Sequence, residues 1–274
     1  MNALKFITTS VVACLLGMSP ALADRLDDIK ANGKLVCGTV PNFEPFSFPD
    51  PTTRELVGYD VDFCNTIAAK LGVTAEIKTL SLEARIPELT EGRVDMLVAV
   101  LGYTPARAEQ IDFSYGYYVS PSVIAVRADR GYNDLESLAG KRIAVIKSSN
   151  TEIFTRKSIP NVNIVAFDDA PTGFLALVQN KVDGFGTSSV AIGRLIDKSK
   201  GSVDLKVIEQ PVGTETWGIG IKKGEDRLLD AVNDALLDME NSGEAGKIFD
   251  KWLGDSTIYK LKKQFKIEKI TANP

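Results

Sequence analysis

The sequence predicts an α/β protein built as two similar lobes joined by two crossing strands. Three observations predict it. Strand and helix patterns alternate as βαβαβ, twice over, which is the grammar of an open sheet with helices on its faces. The two halves carry matching junctions, Glu91-Gly92-Arg93-Val94-Asp95 and Gln179-Asn180-Lys181-Val182-Asp183. Two long stretches, Phe113 to Arg127 and Val207 to Ile221, are extended and show no helical period.

The elements follow in order. Lys34 to Val40 is an apolar run that reads as a buried strand. Asp60 is expected to cap a helix running to about Leu71, with Phe63, Ile67 and Leu71 on one face. Gly72 stops it, and Thr74 to Thr79 is the next strand. Leu82 to Glu91 is a helix ended by Gly92, and Val94 to Val100 is the third strand. The second half repeats this. Arg142 to Lys147, Val162 to Phe167 and Val182 to Gly186 are strands. Ser149 to Lys157, Thr172 to Asn180 and Val190 to Lys198 are helices.

After the second extended stretch come amphipathic helices at Asp226 to Met239 and Ser242 to Trp252. Their apolar positions, including Leu228, Leu229, Val232, Ala235 and Leu236, need a sheet to cover, and the first lobe has only two helices. The chain is therefore expected to leave lobe 1, build lobe 2 and return. Lobe 1 is expected over 24–118 and 217–274, lobe 2 over 122–212, with hinges at 118–122 and 212–217. Ligands of open α/β sheets bind at the carboxyl ends of strands, so two such edges facing across a hinge make a clamp.

Composition removes several function classes. The formal charge of −4 and the lack of a Lys/Arg run argue against a nucleic-acid partner. Histidine is absent, which removes the commonest general base and metal ligand. No Cys cluster has zinc spacing, and no metal or cofactor is expected. Residues 1–23 read as a cleaved signal peptide, with Lys5, an apolar run from Phe6 to Met18, and small residues at Ala21 and Ala23. Cleavage after Ala23 places the mature chain in the periplasm. The competing reading is a lipoprotein anchor at Cys14, after Val11-Val12-Ala13. The mature chain keeps Cys37 and Cys64. In an oxidising compartment they form either a disulfide or two buried thiols.

Four segments carry a resemblance. They are Asn42-Phe43-Glu44-Pro45-Phe46-Ser47-Phe48, Val57 to Phe63, Thr104-Pro105-Ala106-Arg107-Ala108-Glu109-Gln110-Ile111-Asp112-Phe113-Ser114, and Gly246 to Gly254. In order and spacing the chain resembles the polar amino-acid class of periplasmic solute-binding proteins, bacterial extracellular family 3. The resemblance implies a periplasmic-binding-protein-like fold of type II. It also implies a monomer that carries a small-molecule ligand, an amino acid or organic acid, to an inner-membrane ABC permease.

It further implies a site. Arg107 corresponds to the arginine that grips the ligand carboxylate, and a planar fork of donors suits that task. Val100 and Gly102, at the end of the third strand, correspond to backbone contacts. Phe43 and Leu82 correspond to apolar walls. Arg85 is either a further ligand contact or a solvated helix charge. Ser149, Asn150 and Thr151 correspond to the lobe 2 turn that meets the carboxylate, and Lys147 stands beside them. Family members often carry Thr or Ser where this chain has Gly102, and an Asp where it has Ser188. A buried ammonium without an acid partner is costly. Either Glu215 accepts it or the ligand lacks one, so acidic, neutral or modified ligands are favoured over cationic ones. Asp60, Asp95 and Asp112 read as structural, and Trp217 as hinge packing ahead of a place near the cleft. Two other functions share the fold: a sensor reporting to a membrane receptor, and a dehydratase. For the latter, Glu215 or Glu44 would have to supply the acid or base.

Overall fold

The computed structural model describes residues 24–271. The expected signal peptide, with Cys14, lies outside them. Lobe 1 begins with α1 (Arg25–Asn32), β1 (Lys34–Thr39), the short hairpin β2 (Phe48–Pro49) and β3 (Leu56–Val57), and α2 (Tyr59–Lys70). β4 (Thr74–Thr79), α3 (Arg85–Thr90), β5 (Met96–Leu97) and α4 (Pro105–Ala108) follow. The strand β6 (Ile111–Arg127) leaves lobe 1. Lobe 2 holds β7 (Arg142–Ile146), α5 (Asn150–Ser158), β8 (Asn163–Phe167), α6 (Ala170–Val178), β9 (Gly184–Ser188), α7 (Ser189–Ser199) and β10 (Leu205–Val207). β11 (Gly213–Lys222) crosses back, and α8 (Asp226–Asn241) and α9 (Glu244–Leu253) complete the helices.

The strands order as β4-β1-β5-β11-β6-β9-β7-β8, with β10 added to β6. Each lobe contributes a parallel trio, β4-β1-β5 and β9-β7-β8. Between them lie β6 and β11, antiparallel to each other from Ile111↔Lys222 to Ser122↔Gly213. β11 pairs β5 at Gly220 and Ile221, and β6 pairs β9 from Ser122 to Val126. The register of β11 slips at Trp217/Gly218 and again at Gly218/Gly220. Such bulges bend and twist a strand pair where it passes from one trio to the other.

Helices α8 and α9 pack on α2, and α8 also meets α1. The buried face of α8 is Leu228, Val232, Ala235, Leu236 and Met239. Lys70 of α2 pairs with Asp238 of α8 at 2.6 Å. Beyond α9 the chain runs back along the crossing strands. Phe265 packs edge-on against Tyr118 at 5.5 Å, Ile267 is buried, and Gly116 N donates to Glu268 O at 2.8 Å.

Three expectations differ from the structure. The third strand of lobe 1 is laddered only over Met96–Leu97. Past Leu97 the chain leaves the sheet because Val100 is held elsewhere, as described below. The second helix starts at Arg85, because Ser81 Oγ accepts Ala84 N and keeps a turn before it. Asp60 is no cap. It lies inside α2, whose N-cap is Gly58. The first amides of α2, at Tyr59 and Asp60, donate to the carbonyls of Pro45 and Phe46, both at 2.9 Å. Gly58 has φ 141°, and a Cβ there would overlap the Phe46 carbonyl. With its amides capped by backbone, α2 leaves the Asp60 carboxylate free for other work.

Cys37 on β1 and Cys64 on α2 form a disulfide, with a Cα–Cα distance of 6.2 Å that suits bridge geometry. The two positions are 27 residues apart. The double variant Cys37→Ser/Cys64→Ser is expected to lose about 3 kcal/mol of unfolding free energy on the chain-entropy model. Urea unfolding of both proteins checks this.

Candidate functional site

The interlobe crevice is built around Arg107. Thr104 caps the short helix α4, its hydroxyl accepting Arg107 N at 3.1 Å. This fixes the start of the arginine side chain. The guanidinium is half-buried and spans the gap between the lobes. Nη1 donates to Gly102 O in lobe 1 and Nη2 to Ser148 O in lobe 2, both at 2.7 Å. Burial lowers the Arg107 pKa, and nearby Glu215 opposes that shift.

Glu215 rises from β11 at the floor. Its Oε1 accepts Trp217 Nε1 at 2.9 Å, and its Oε2 accepts Asn150 Nδ2 at 2.5 Å. Burial raises its pKa, while the Trp217 bond, Arg107, the Asn150 bond and Arg85 act the other way. Gly102 belongs to this arrangement, since a Cβ there would overlap Glu215 Oε2 and crowd Asn150. The carboxylate thus occupies the space that a Ser or Thr side chain at position 102 would fill.

Val100 forms the wall, and both of its peptide groups are clamped. Its N–H donates to Asp60 Oδ2 at 3.0 Å, and its C=O accepts Arg85 Nη1 at 3.0 Å. Its φ is 46°, a left-handed value that strains a β-branched residue. The two buried side chains hold that strained turn in place. Arg85 also donates to Leu82 O at 2.9 Å and Ala99 O at 2.8 Å. It is 2% exposed, so it is not a solvated helix charge. Burial and the neighbouring Arg107 push its pKa down to about 9, against Glu215, Tyr117 and Asp60. Asp60 accepts Tyr117 Oη at 2.9 Å as well, and burial pushes its carboxyl up to about 7 despite these bonds.

Phe43 and Leu82 close the crevice with apolar faces. Lobe 2 supplies Ile146, Ser149, Asn150, Thr151, Thr187 and Ser188. Ser149 caps α5 by accepting Glu152 N at 3.3 Å, and Ser188 caps α7 by accepting Ala191 N at 3.3 Å. Thr151 Oγ1 lies 2.9 Å from Ser122 Oγ. The lobes close the crevice to a cavity of about 20 Å³. A wider groove of about 510 Å³ continues outward past Phe43. Its charged residues are Glu44, Arg194 and Lys198, and they pair with one another across the cleft at 2.7 Å and 2.6 Å. Among the described residues no such pairing satisfies Arg85 and Arg107, so the chemistry sits in the inner crevice.

Twelve positions were expected here, and eleven gather around the crevice; Gly102 does so through Arg107 and Glu215. Lys147 does not. Its Nζ bonds Asp168 Oδ1 at 2.7 Å on the surface of lobe 2. The strand alternation at the end of β7 turns Ile146 toward the crevice and Lys147 away from it. Sequence reasoning missed Ile146 and Thr187, and it set a place for Trp217 beside the cleft below hinge packing. It also missed the support from Asp60 and Tyr117. Trp217 lies next to the expected hinge, so its place in an extended stretch was the available signal. Among the described residues no cluster of His, Cys, Asp and Glu could hold a metal, and no helix is long and apolar enough to cross a membrane.

Two α/β lobes on a pair of crossing strands, closed around a charged crevice, define a type II periplasmic-binding-protein-like clamp. Residues 35–255 match the model of the bacterial extracellular solute-binding proteins, family 3, and the chain belongs to that family. It is similar to the ABC transporter glutamine-binding protein of Bacillus subtilis (strain 168), 27% identical over 84% of this chain and 85% of that protein. It is similar to the L-cystine-binding protein of Escherichia coli (strain K12), 28% identical over 89% and 92%. Among solved structures it resembles an ancestral amino acid-binding protein, a precursor of cyclohexadienyl dehydratase. That match has a TM-score of 0.76 and 28% identity, covering 85% of this chain and 100% of that one.

Two outcomes follow from the geometry. Gly102→Ala is expected to displace Glu215 and shift the emission of Trp217, measured in a Trp252→Phe background. The Asp60 carboxyl is raised from 3.8 in the unfolded chain to about 7 in the fold. Its contribution to stability is therefore full below the unfolded value and is lost as pH rises through the folded one. Relative to Asp60→Asn, the wild-type protein is expected to lose stability between about pH 4 and about pH 7 and to run parallel above that. Chemical unfolding at a series of pH values tests this.

Proposed function

We propose that this chain is the periplasmic substrate-binding component of an amino-acid ABC importer, holding a carboxylate-bearing small molecule in the crevice. One observation carries the reading: the Arg107 guanidinium lies between the lobes and donates to Ser148 O, a lobe 2 backbone acceptor. A ligand carboxylate offers the same fork two stronger, charge-assisted bonds. Ligand would bind first on lobe 1, at Arg107 and Phe43. Closure about hinges at 118–122 and 212–217 would then add Ser149, Asn150 and Thr151. A ligand favours closure by contacts that exist only when both lobes meet. The named relatives, which are binding proteins, support this role.

The crevice charges are Arg85 and Arg107 against Glu215, with Ser188 where an acid would favour cations. That balance favours an acidic, neutral or modified amino acid. The closed clamp, a monomer, would hand its cargo to an inner-membrane permease. A binder is favoured over a dehydratase because both oxygens of Glu215 already accept bonds from the protein, and the chain has no histidine. Glu44 is tied to Arg194 and Lys198.

Calorimetric titration with an amino-acid panel tests the reading. Arg107→Met is expected to weaken the best ligand about 100-fold or more, the loss of a bidentate charged pair. Unchanged affinity in that variant, or tightest binding to lysine or arginine, would refute it.

A further inference from the structure

Past the last residue that the family model matches, the chain continues over its own surface. The match ends at residue 255, and residues 256–271 follow it. Thr257 N and Thr257 Oγ1 both donate to Gly254 O, at 2.9 Å and 2.8 Å, and Leu261 N donates to Leu253 O at 2.8 Å. These bonds turn the chain sharply off the end of α9. Burial then alternates as in a strand. Lys263, Phe265 and Ile267 face inward, while Lys262, Gln264 and Lys266 are exposed. Yet the segment meets the sheet through an isolated bridge, Gly116 to Glu268. It is held by side chains rather than by a ladder of backbone bonds.

Its middle is anchored on lobe 1. Lys263 Nζ donates to both oxygens of Glu240 on α8, at 2.9 Å and 2.8 Å. Phe265 packs against Phe249 of α9 at 6.0 Å and against Tyr118 of β6 at 5.5 Å. On either side of that anchor the segment reaches lobe 2. Before it, Ile258, Tyr259 and Leu261 share a groove of about 430 Å³ with Val190, Gly193 and Ile196 of α7. Tyr259 stands beside the rim charges, where burial and Glu44 raise its pKa and Arg194 opposes them. After it, Ile270 and Thr271 share a groove of about 460 Å³ with Ile153, Phe154 and Lys157 of α5. Ile270 also lies on the crossing strands. A Cβ at Gly218 would meet its Cδ1 at 2.8 Å, and Gly218 is where the register of β11 slips.

We infer that residues 256–271 form a strap that holds the two lobes in the closed arrangement. Two crossing strands alone leave the angle between lobes free to change. A third segment, fixed to lobe 1 and resting on α7 at one end and α5 at the other, resists that change. Any rotation of lobe 2 slides α7 past Tyr259 and α5 past Ile270, and exposes apolar surface. With part of the closure supplied by the chain itself, a ligand needs less differential affinity to keep the lobes shut. The inference goes beyond the carboxylate-binding reading and is independent of it.

Pulsed electron resonance between two spin labels on the mature chain, with no ligand added, tests this by reading the lobe spacing. The labels are placed at Thr52→Cys in lobe 1 and Leu175→Cys in lobe 2, both exposed positions flanking the mouth of the cleft. The native Cys37 and Cys64 are bridged and take no label. In Tyr259→Ala/Ile270→Ala the ratio of open to closed molecules is expected to rise about tenfold, through the loss of two part-buried apolar side chains. Lys266→Ala, at an outward position, is expected to keep the wild-type distribution. If the double variant does not fold, Ile270→Ala alone is read in the same way. Identical distance distributions in the wild-type chain and the strap variants would overturn the inference. So would a shift to shorter distances, or equal opening in Lys266→Ala. Because the measurement contains no ligand, its failure leaves the carboxylate-binding reading standing, and failure of that reading leaves the strap standing.

Discussion

The antiparallel pairing of β6 with β11 is the constraint on which the rest of the molecule depends. It runs from Ile111↔Lys222 to Ser122↔Gly213 and is the part of the sheet common to both lobes. One parallel trio attaches to β11 through β5, and the other attaches to β6 through β9. Whatever bends this pair moves one trio against the other. The pair also furnishes the crevice floor, since Glu215 and Trp217 project from β11 next to its register slip. The expected hinge and the floor therefore share the same few residues. Such an arrangement lets contact at the floor bias the angle between the lobes.

Around that floor, charge is arranged in layers. Arg107 reaches across the crevice, and Arg85 lies buried behind it, bonded to three backbone carbonyls. Asp60 sits deeper still and holds the Val100 amide. Loss of solvation lowers the pKa of both arginines, and for Arg85 the neighbouring Arg107 charge lowers it further. Glu215 offsets part of this from below. At the outer rim, Glu44 joins Arg194 and Lys198 across the lobes. That rim cluster is more exposed, so salt screens it more than the inner group. An anionic head group entering the crevice would complete a charge set that the protein leaves positive.

Much of this was legible from residue order. The βαβαβ repeat, the two extended stretches and the amphipathic helices after the second one are periodicity signals, and they survive without knowledge of contacts. Arg107 was legible through the resemblance carried by Thr104 to Ser114, and its place at a helix start, where a positive charge is poorly set for the dipole, agrees with that. Lys147 was misjudged because charge near a strand end was counted without the alternation that turns it outward. Asp60 was taken for a cap because an acid at a helix start is usually one. Here the carbonyls of Pro45 and Phe46 took the first amides of α2, and the acid was freed for Val100.

The sequence by itself determined the class of fold and the return of the chain to its first lobe, and its resemblance to the family pointed to Arg107. The first two rest on local patterns, since apolar period and turn residues act over a few neighbouring positions. Tertiary structure alone decided that Gly102 makes room for Glu215, that Asn150 turns its amide toward that acid, and that Asp60 and Arg85 clamp Val100. Each of these joins segments at least 15 residues apart in the chain. Their geometry is set by how the lobes and crossing strands pack, which no local pattern encodes.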